Sequence, residues 1–175
     1  MKNMSVICHQ TTIQGFFVKF IYIKRCILSL LFIVCFIFLS CADNSQNADS
    51  KIMLADQWRL QSSAKVRENG QILSSPGVKT QSWYPVTVPT TVLAALVDNG
   101  VYPDPYYGDN LKSIPGYRDG RWLAMKADSP FYPSWWYRTE FDLPLSWKQK
   151  KIVLHFDGIN YKVNIWLNGQ QIADT

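Results

Sequence analysis

The stretch Trp135-Trp136-Tyr137-Arg138-Thr139-Glu140-Phe141-Asp142-Leu143 decides the fold class of this chain. Its apolar and polar side chains alternate, which predicts a β-strand with one buried, apolar face and one solvent-exposed, polar face. Pro144 ends the strand because proline has no amide hydrogen to donate to a neighbour. The residues of the apolar face are Trp135, Tyr137, Phe141 and Leu143, and those of the polar face are Arg138, Glu140 and Asp142.

The same alternation continues downstream in residues 152–156 and 161–167. Asn168-Gly169 then supplies the positive φ angles that a tight hairpin turn requires, so a further strand is expected from Gln170. Upstream, residues 58–60 and 83–88 have the composition of strands, with a polar turn between them.

One helix is predicted between Pro89 and Gly100. Thr90 or Thr91 can cap its start and Gly100 can end it. The apolar stripe is Val92, Leu93, Leu96 and Val97. Together these patterns predict an all-β protein, an antiparallel jelly-roll β-sandwich with one short helix. Five or six complete strands are fewer than the seven or eight that close such a sandwich, so the fold is expected to be incomplete at the C-terminus.

The charges are concentrated at one end of the 175-residue chain. It has 18 Lys and Arg against 13 Asp and Glu, and four of the basic residues but no acidic residue lie in the first 40. The remainder is therefore nearly neutral. Binding to nucleic acid needs a concentrated cationic surface, so it is not expected here.

The first 40 residues are typical of a secretory signal peptide. Lys24 and Arg25 precede an apolar run from Cys26 to Leu39, which is short for a membrane span. The segment Phe38-Leu39-Ser40-Cys41 resembles a bacterial lipobox, which predicts lipidation of Cys41 and a membrane-anchored lipoprotein, periplasmic or at the cell surface. The alternatives are an ordinary cleavage site beside an incidental thiol, or an uncleaved anchor. Residues 41–52 are small and polar and are interpreted as a tether.

Four segments carry a resemblance to a known family. They are 88–93, 100–111, 135–141 and 156–169, and in that order they resemble the N-terminal sugar-binding domain of glycoside hydrolase family 2. Within the family the sequence is most similar to the branch of exo-β-D-glucosaminidases and β-mannosidases. The resemblance implies that residues 53–175 form a galactose-binding-like domain, and that an immunoglobulin-like domain and a catalytic barrel follow it in the full family.

The resemblance also implies that catalysis belongs elsewhere. Retaining glycosidases use two carboxyl groups about 5–5.5 Å apart, and in this family both are glutamates of the barrel. The chain has two glutamates, Glu68 in a predicted turn and Glu140 in a strand. Neither position suits the role, so both are interpreted as solvated charges and no catalytic residue is assigned.

Candidate sugar-contacting residues lie in the loop Tyr102–Asn110. Asp104 and Asn110 offer hydrogen bonds to hydroxyl groups, and Tyr106 and Tyr107 offer flat rings to a pyranose. The alternative is that the polar pair caps turns and the tyrosines pack against the protein. Trp136 is either an exposed sugar platform, a contact with another domain, or a core residue.

No cofactor or metal is predicted, because no phosphate-binding glycine loop or metal-ligand cluster is present in the sequence. His155 has no histidine near it and is interpreted as a surface residue. The expected partners are glycans with β-linked glucosamine or mannose, and a membrane through the lipid.

Three functions remain open at this point. The first is the N-terminal part of an exported family 2 glycosidase, the second is a stand-alone lipid-anchored carbohydrate-binding module, and the third is a remnant that does not fold stably. A strand left unpaired at Thr175 favours the first or the third, because a free-standing module is expected to avoid open edges.

The assignment of catalysis to another domain is directly testable. We expect the purified chain to show no turnover of aryl β-glycosides, because it lacks a suitably placed pair of carboxyl groups. Release of the chromogenic phenol is the measurement. Turnover above that of a Glu68→Gln, Glu140→Gln double variant would show that the chain is catalytic.

Overall fold

The structure is a computed structural model that describes residues 2–10, 16–17, 21–23, 51–118, 121–122 and 127–174. The strands are β1 (Lys2–Gln10), β2 (Phe16–Phe17), β3 (Ile21–Ile23), β4 (Trp58–Ser62), β5 (Tyr84–Val86), β6 (Tyr117–Arg118), β7 (Arg121–Trp122), β8 (Trp135–Leu143), β9 (Ile152–Leu154), β10 (Gly158–Ile159), β11 (Val163–Leu167) and β12 (Gln170–Ala173). The α-helices are α1 (Gly70–Leu73) and α2 (Val92–Asp98), and short 3-10 turns cover Ser63–Lys65, Asn110–Ser113 and Leu145–Trp147.

The strands confirm the all-β prediction. Six of them form one sheet in the order β12-β11-β1-β8-β4-β5, and every neighbouring pair in it is antiparallel. Three two-stranded pieces accompany it, β10 with β2, β3 with β9, and β6 with β7. The nine residues of β8 cross the main sheet as an inner strand between β1 and β4.

The inner face of the main sheet carries the larger hydrophobic core. Trp135 and Tyr137 of β8 lie in this core with Leu60 of β4 and Ile165 of β11. Side chains of β9 and β10, which are not part of the main sheet, pack against the same core; they are Ile152, Leu154 and Ile159. The core therefore receives side chains from the main sheet and from strands outside it, which is consistent with a sandwich.

The outer face of β8 differs from the sequence prediction. Arg138 was expected on a solvated face, but it is 4% exposed. Its guanidinium donates hydrogen bonds to the carbonyl oxygens of Leu73 (2.7 Å) and Ser75 (3.0 Å) and pairs with Glu140. A buried guanidinium is tolerated because these acceptors replace water.

A short segment covers that outer face. The predicted turn around Asn69-Gly70 contains helix α1, which was not expected because it has only four residues. The Asn69 side chain accepts a hydrogen bond from the amide of Ile72 at 3.1 Å and so caps the helix. A second hydrophobic cluster lies here, formed by Ile7, Leu73, Trp83 and Trp136.

The predictions of the helix after Pro89 and of the last hairpin are confirmed, whereas the strands predicted at 83–88, 152–156 and 161–167 are shorter in the structure. Thr91 caps α2 by accepting a hydrogen bond from the amide of Ala94 at 3.0 Å, and Gly100 follows the helix with φ at +70°. Asn168 and Gly169 have φ angles of +49° and +85°, and β12 begins at Gln170 as expected. Both helix and hairpin depend on neighbours in sequence, which explains why the sequence predicted them.

The segment predicted as a signal peptide contributes strands. Residues 2–10 form β1 inside the main sheet, and residues 16–17 and 21–23 form β2 and β3. These strands do not test whether the segment is a signal peptide, so the signal peptide stays a prediction. Residues 41–50 of the tether, which include Cys41, lie outside the described residues. None of the helices in the described ranges is both long and apolar enough to cross a membrane.

The packing of α1 against the sheet leads to a stability prediction. A Cβ atom at Gly70 would overlap the ring of Trp166, whereas a Cβ atom at Gly158 meets nothing within 4 Å. We expect Gly70→Ala to lower the free energy of unfolding by about 1–3 kcal/mol through overpacking. Chemical denaturation of the two variants is the measurement, with Gly158→Ala as the matched control. Equal stability of the two variants would show that α1 is not held against Trp166.

Candidate functional site

The loop Tyr102–Asn110, called the tyrosine loop below, follows helix α2 and is anchored to it by a backbone hydrogen bond. The amide of Val101 donates a hydrogen bond to the carbonyl oxygen of Leu96 in α2 at 2.8 Å. The ring of Tyr102 then packs against that of Phe131, with 5.8 Å between ring centroids. Burial, and to a lesser extent the nearby Tyr84, raises the pKa of Tyr102 above its ordinary value. The loop therefore begins on a neutral, packed aromatic ring.

Hydrogen bonds close the tyrosine loop on itself. The carboxylate of Asp104 accepts a hydrogen bond from the amide of Tyr106 at 2.9 Å, which is the geometry of an Asx turn. The side-chain amide of Asn110 donates to the carbonyl oxygen of Asp104 at 3.0 Å. The amide of Tyr107 donates to that same oxygen at 3.2 Å. Asp104 and Asn110 thus hold the two ends of the loop together.

Two aromatic side chains stand at the tip of this closed loop. Tyr106 is 97% exposed and Tyr107 is 77% exposed. The two consecutive exposed rings offer apolar surface that a ligand could remove from water. A tyrosine offers a flat apolar face and a hydroxyl group, and a pyranose ring has matching C–H faces and hydroxyl groups. The tip is therefore suited to carbohydrate.

Charged groups border the tip. Lys112 lies 2.8 Å from the carboxylate of Asp109, and both side chains are exposed. Asp104 is also exposed. Solvated polar groups beside flat rings can exchange their water for sugar hydroxyl groups at little cost. The surroundings of the tyrosine pair are therefore polar enough to recognise hydroxyl groups.

The structure separates the five residues that the sequence proposed for sugar contact. It brings Asp104, Tyr106, Tyr107 and Asn110 together in one loop, with the polar pair in the turn-forming role that was the alternative. Trp136 is elsewhere: it is 5% exposed, and its ring lies 5.6 Å from that of Trp166. The interpretation of Trp136 as an exposed sugar platform is wrong, because α1 and its flanking residues cover that face of the sheet.

A polar groove on the outer face was not found by sequence reasoning. It has a volume of about 370 Å³, and Arg59, Gln81, Thr80 and Glu140 are among the residues that line it. Arg59 stands directly opposite Arg138 in the β4–β8 register. The signal was available, since Arg59 interrupts the apolar pair Trp58 and Leu60, but the pairing of the two arginines required knowledge of strand register.

The remaining chemical groups do not form a catalytic centre in the described part of the chain. Glu68 is exposed, and Glu140 is engaged by Arg138 and by the amide of Gly77 at 2.8 Å. His155 lies 3.1 Å from Asp157, and both side chains are partly exposed. Among the described residues, no group of three or more His, Cys, Asp or Glu side chains is placed to hold a metal ion.

Comparison with known proteins identifies the family. The profile of the glycosyl hydrolase 2 galactose-binding domain-like family matches residues 58–175, which is most of the chain and includes the whole tyrosine loop. The chain belongs to this family. Its sandwich of antiparallel strands is consistent with that membership. No solved structure gives a significant match.

The relatives that this chain matches bear the names of enzymes, and the chain covers only a small part of each. An exo-beta-D-glucosaminidase of Amycolatopsis orientalis is 36% identical over 65% of this chain and 10% of its own length. One from Streptomyces avermitilis is 37% identical over 66% of this chain and 11% of its own. A mannosylglycoprotein endo-beta-mannosidase of Lilium longiflorum is 31% identical over 69% and 12%. The chain therefore spans about a tenth of the length of these relatives.

The closure of the tyrosine loop leads to a prediction about its dynamics. We expect Asp104→Ala to speed hydrogen exchange of the Tyr106 amide about 5-fold or more, because a hydrogen bond of about 1 kcal/mol is lost. Asp104→Asn keeps a side-chain oxygen in the same place and should leave the exchange rate nearly unchanged. Exchange measured by NMR is the readout. Equal rates in all three proteins would show that the turn does not depend on this carboxylate.

Proposed function

We propose that this chain is the carbohydrate-recognition domain of an exported glycoside hydrolase that acts on β-linked glucosamine or mannose residues. Family membership supports the role of the domain. The names of the relatives, exo-beta-D-glucosaminidase and mannosylglycoprotein endo-beta-mannosidase, support the two sugars. The hydrolysis itself is assigned to a part of the enzyme other than residues 51–174, where neither glutamate has a suitable environment.

The observation that carries the proposal is the pair Tyr106 and Tyr107 on a closed loop. Both rings are mostly exposed, and the hydrogen bonds of Asp104 and Asn110 hold the backbone that presents them. A ligand that binds to a preorganised loop does not have to order it, so more of the contact energy appears as affinity. The loop is therefore the surface that we assign to glycan contact.

The location of the enzyme is part of the same proposal. The basic pair Lys24 and Arg25 followed by the apolar run from Cys26 to Leu39 supports export. The lipobox-like segment 38–41 supports attachment of the mature protein to a bacterial membrane through Cys41, either in the periplasm or at the cell surface. The polar residues 42–52 would then separate the folded domain from the lipid.

A stand-alone carbohydrate-binding module is the second candidate. The observation that favours it is that the tyrosine loop is closed by contacts within this chain, so its shape does not require another domain. Both candidates predict glycan binding. They differ in whether a larger polypeptide containing this sequence hydrolyses the glycan.

Binding to defined sugars tests the proposal. We expect the full chain, purified in mild detergent because of its apolar run, to bind oligosaccharides of β-linked glucosamine or mannose. Tyr106→Ala combined with Tyr107→Ala should weaken binding about 10-fold or more, since each ring contact contributes about 0.5–1.5 kcal/mol. The double phenylalanine variant should retain most of the affinity because it keeps both rings. Isothermal titration calorimetry is the measurement.

Two controls locate the binding surface. Tyr161 is 65% exposed and lies outside the loop, so Tyr161→Ala should not change the affinity. Arg59→Ala probes the polar groove on the outer face. Loss of binding in Arg59→Ala with unchanged binding in the tyrosine variant would move the site to the groove, and absence of binding to every glycan tested would contradict the proposed function.

A further inference from the structure

The centre of the main sheet is filled by a strand from the far N-terminus. β1 pairs with β8 over nine residues, from Lys2 opposite Leu143 to Gln10 opposite Trp135. On its other side it pairs with β11 over five residues, from Val6 opposite Leu167 to Gln10 opposite Val163. β8 and β11 do not pair with each other in this sheet order. β1 therefore joins two parts of the sheet, β12-β11 and β8-β4-β5.

Two adjacent side chains of β1 reach both hydrophobic cores. Val6 and Ile7 are each 0% exposed. Val6 belongs to the large inner cluster and Ile7 to the smaller outer cluster with Trp136. Adjacent residues of a strand point to opposite faces, so this strand contributes to both sides of the sheet at once. Its removal would leave a gap in each core and unpaired backbone groups on β8 and β11.

The same residues belong to the predicted leader, and export of the leader would prevent them from pairing in the sheet. Residues 2–10 precede the basic pair Lys24 and Arg25 and the apolar run that we assign to export. A segment that enters an export channel, or leaves with a cleaved signal peptide, is not available to pair with β8 and β11. β2 and β3 come from the same region and pair with β10 and β9. Export and completion of this sheet therefore compete for one piece of chain.

We propose that residues 2–10 are a removable complementing strand, and that the space between β8 and β11 is an acceptor slot built for this segment. The occupant of the slot in the unprocessed chain is this segment itself. The chemistry that the slot recognises is an antiparallel backbone with two consecutive apolar side chains, one for each core. The pairing is independent of sugar binding, and only the release step rests on the proposed export.

A cross-link tests whether the strand occupies the slot in solution. Asn3 and Asp142 are register partners near the end of the β1–β8 pair, and Asp142 is exposed. Partners in an antiparallel pair have Cα atoms about 4.5–5.5 Å apart, which suits a disulfide. The full chain, made by cell-free translation without membranes and with its four cysteines replaced by alanine, would carry Asn3→Cys and Asp142→Cys.

The expected result is an intramolecular disulfide in nearly all of the doubly substituted chain under mild oxidation. It is detected as faster migration in a non-reducing gel that reductant abolishes. The single variants Asn3→Cys and Asp142→Cys are the controls, because neither has a second thiol. Only disulfide-linked dimers of the doubly substituted chain would indicate that the strand pairs between two molecules, and this result would overturn the intramolecular form of the proposal.

Complementation in trans tests the slot itself. The chain without residues 1–10 should lose its cooperative thermal transition or melt about 10 °C or more below the full chain. A synthetic peptide of residues 2–10 should restore the transition in proportion to its concentration, as binding to the folded state requires. The matched peptide with Val6→Asp and Ile7→Asp should not restore it, because both buried positions would then carry a charge.

The outcomes separate the alternatives. An unchanged melting temperature after deletion, or no cross-link between positions 3 and 142, would overturn the proposal. Restoration by the charged peptide as well as by the native one would also overturn it, since binding would not then use the two cores. None of these results bears on glycan affinity, so failure of this proposal is distinguishable from failure of the proposed function.

Discussion

The buried guanidinium of Arg138 is the constraint on which the outer half of this domain depends. A charge that is 4% exposed is stable only if its hydrogen bonds are satisfied. Two of its acceptors are the carbonyl oxygens of Leu73 and Ser75, at the end of α1 and just beyond it, and the carboxylate of Glu140 is the third. The segment around α1 must therefore lie on the sheet. Its position covers Trp136 and creates the second hydrophobic cluster.

This constraint also bears on the surface that we propose for glycan contact. Leu73 of α1 packs with Trp136 on the outer face, so Trp136 is not available there, whereas the rings of Tyr106 and Tyr107 are exposed at the tip of the loop after α2. Local contacts close the tyrosine loop: an Asx turn at Asp104, a side-chain hydrogen bond from Asn110, and the packing of Tyr102 on Phe131. A loop that is already closed suits the glycan contact that we propose, because binding then does not have to supply the free energy for ordering the loop.

The sheet and the predicted leader place opposite demands on the N-terminal segment. A signal peptide acts while it is extended and unfolded, and its removal leaves the mature protein without it. In this structure the same residues contribute Val6 and Ile7 to two cores. In the proposed export pathway, loss of residues 2–10 would leave an opening between β8 and β11, and folding of the domain would then depend on whether its N-terminal segment is retained.

The sequence by itself determined the features that depend on near neighbours. Alternation predicted β8, the Asn168-Gly169 pair predicted the last hairpin, and Thr91 and Gly100 bounded α2, because each depends on residues a few positions apart. The four residues of the tyrosine loop were likewise predicted together. Only the tertiary structure decided that Arg138 is buried, that Trp136 is covered, and that residues 2–10 separate β8 from β11. These features depend on contacts between segments more than 60 residues apart, such as that of Arg138 with Leu73, separated by 65 residues, and no local pattern encodes which distant strand or helix will supply the partner.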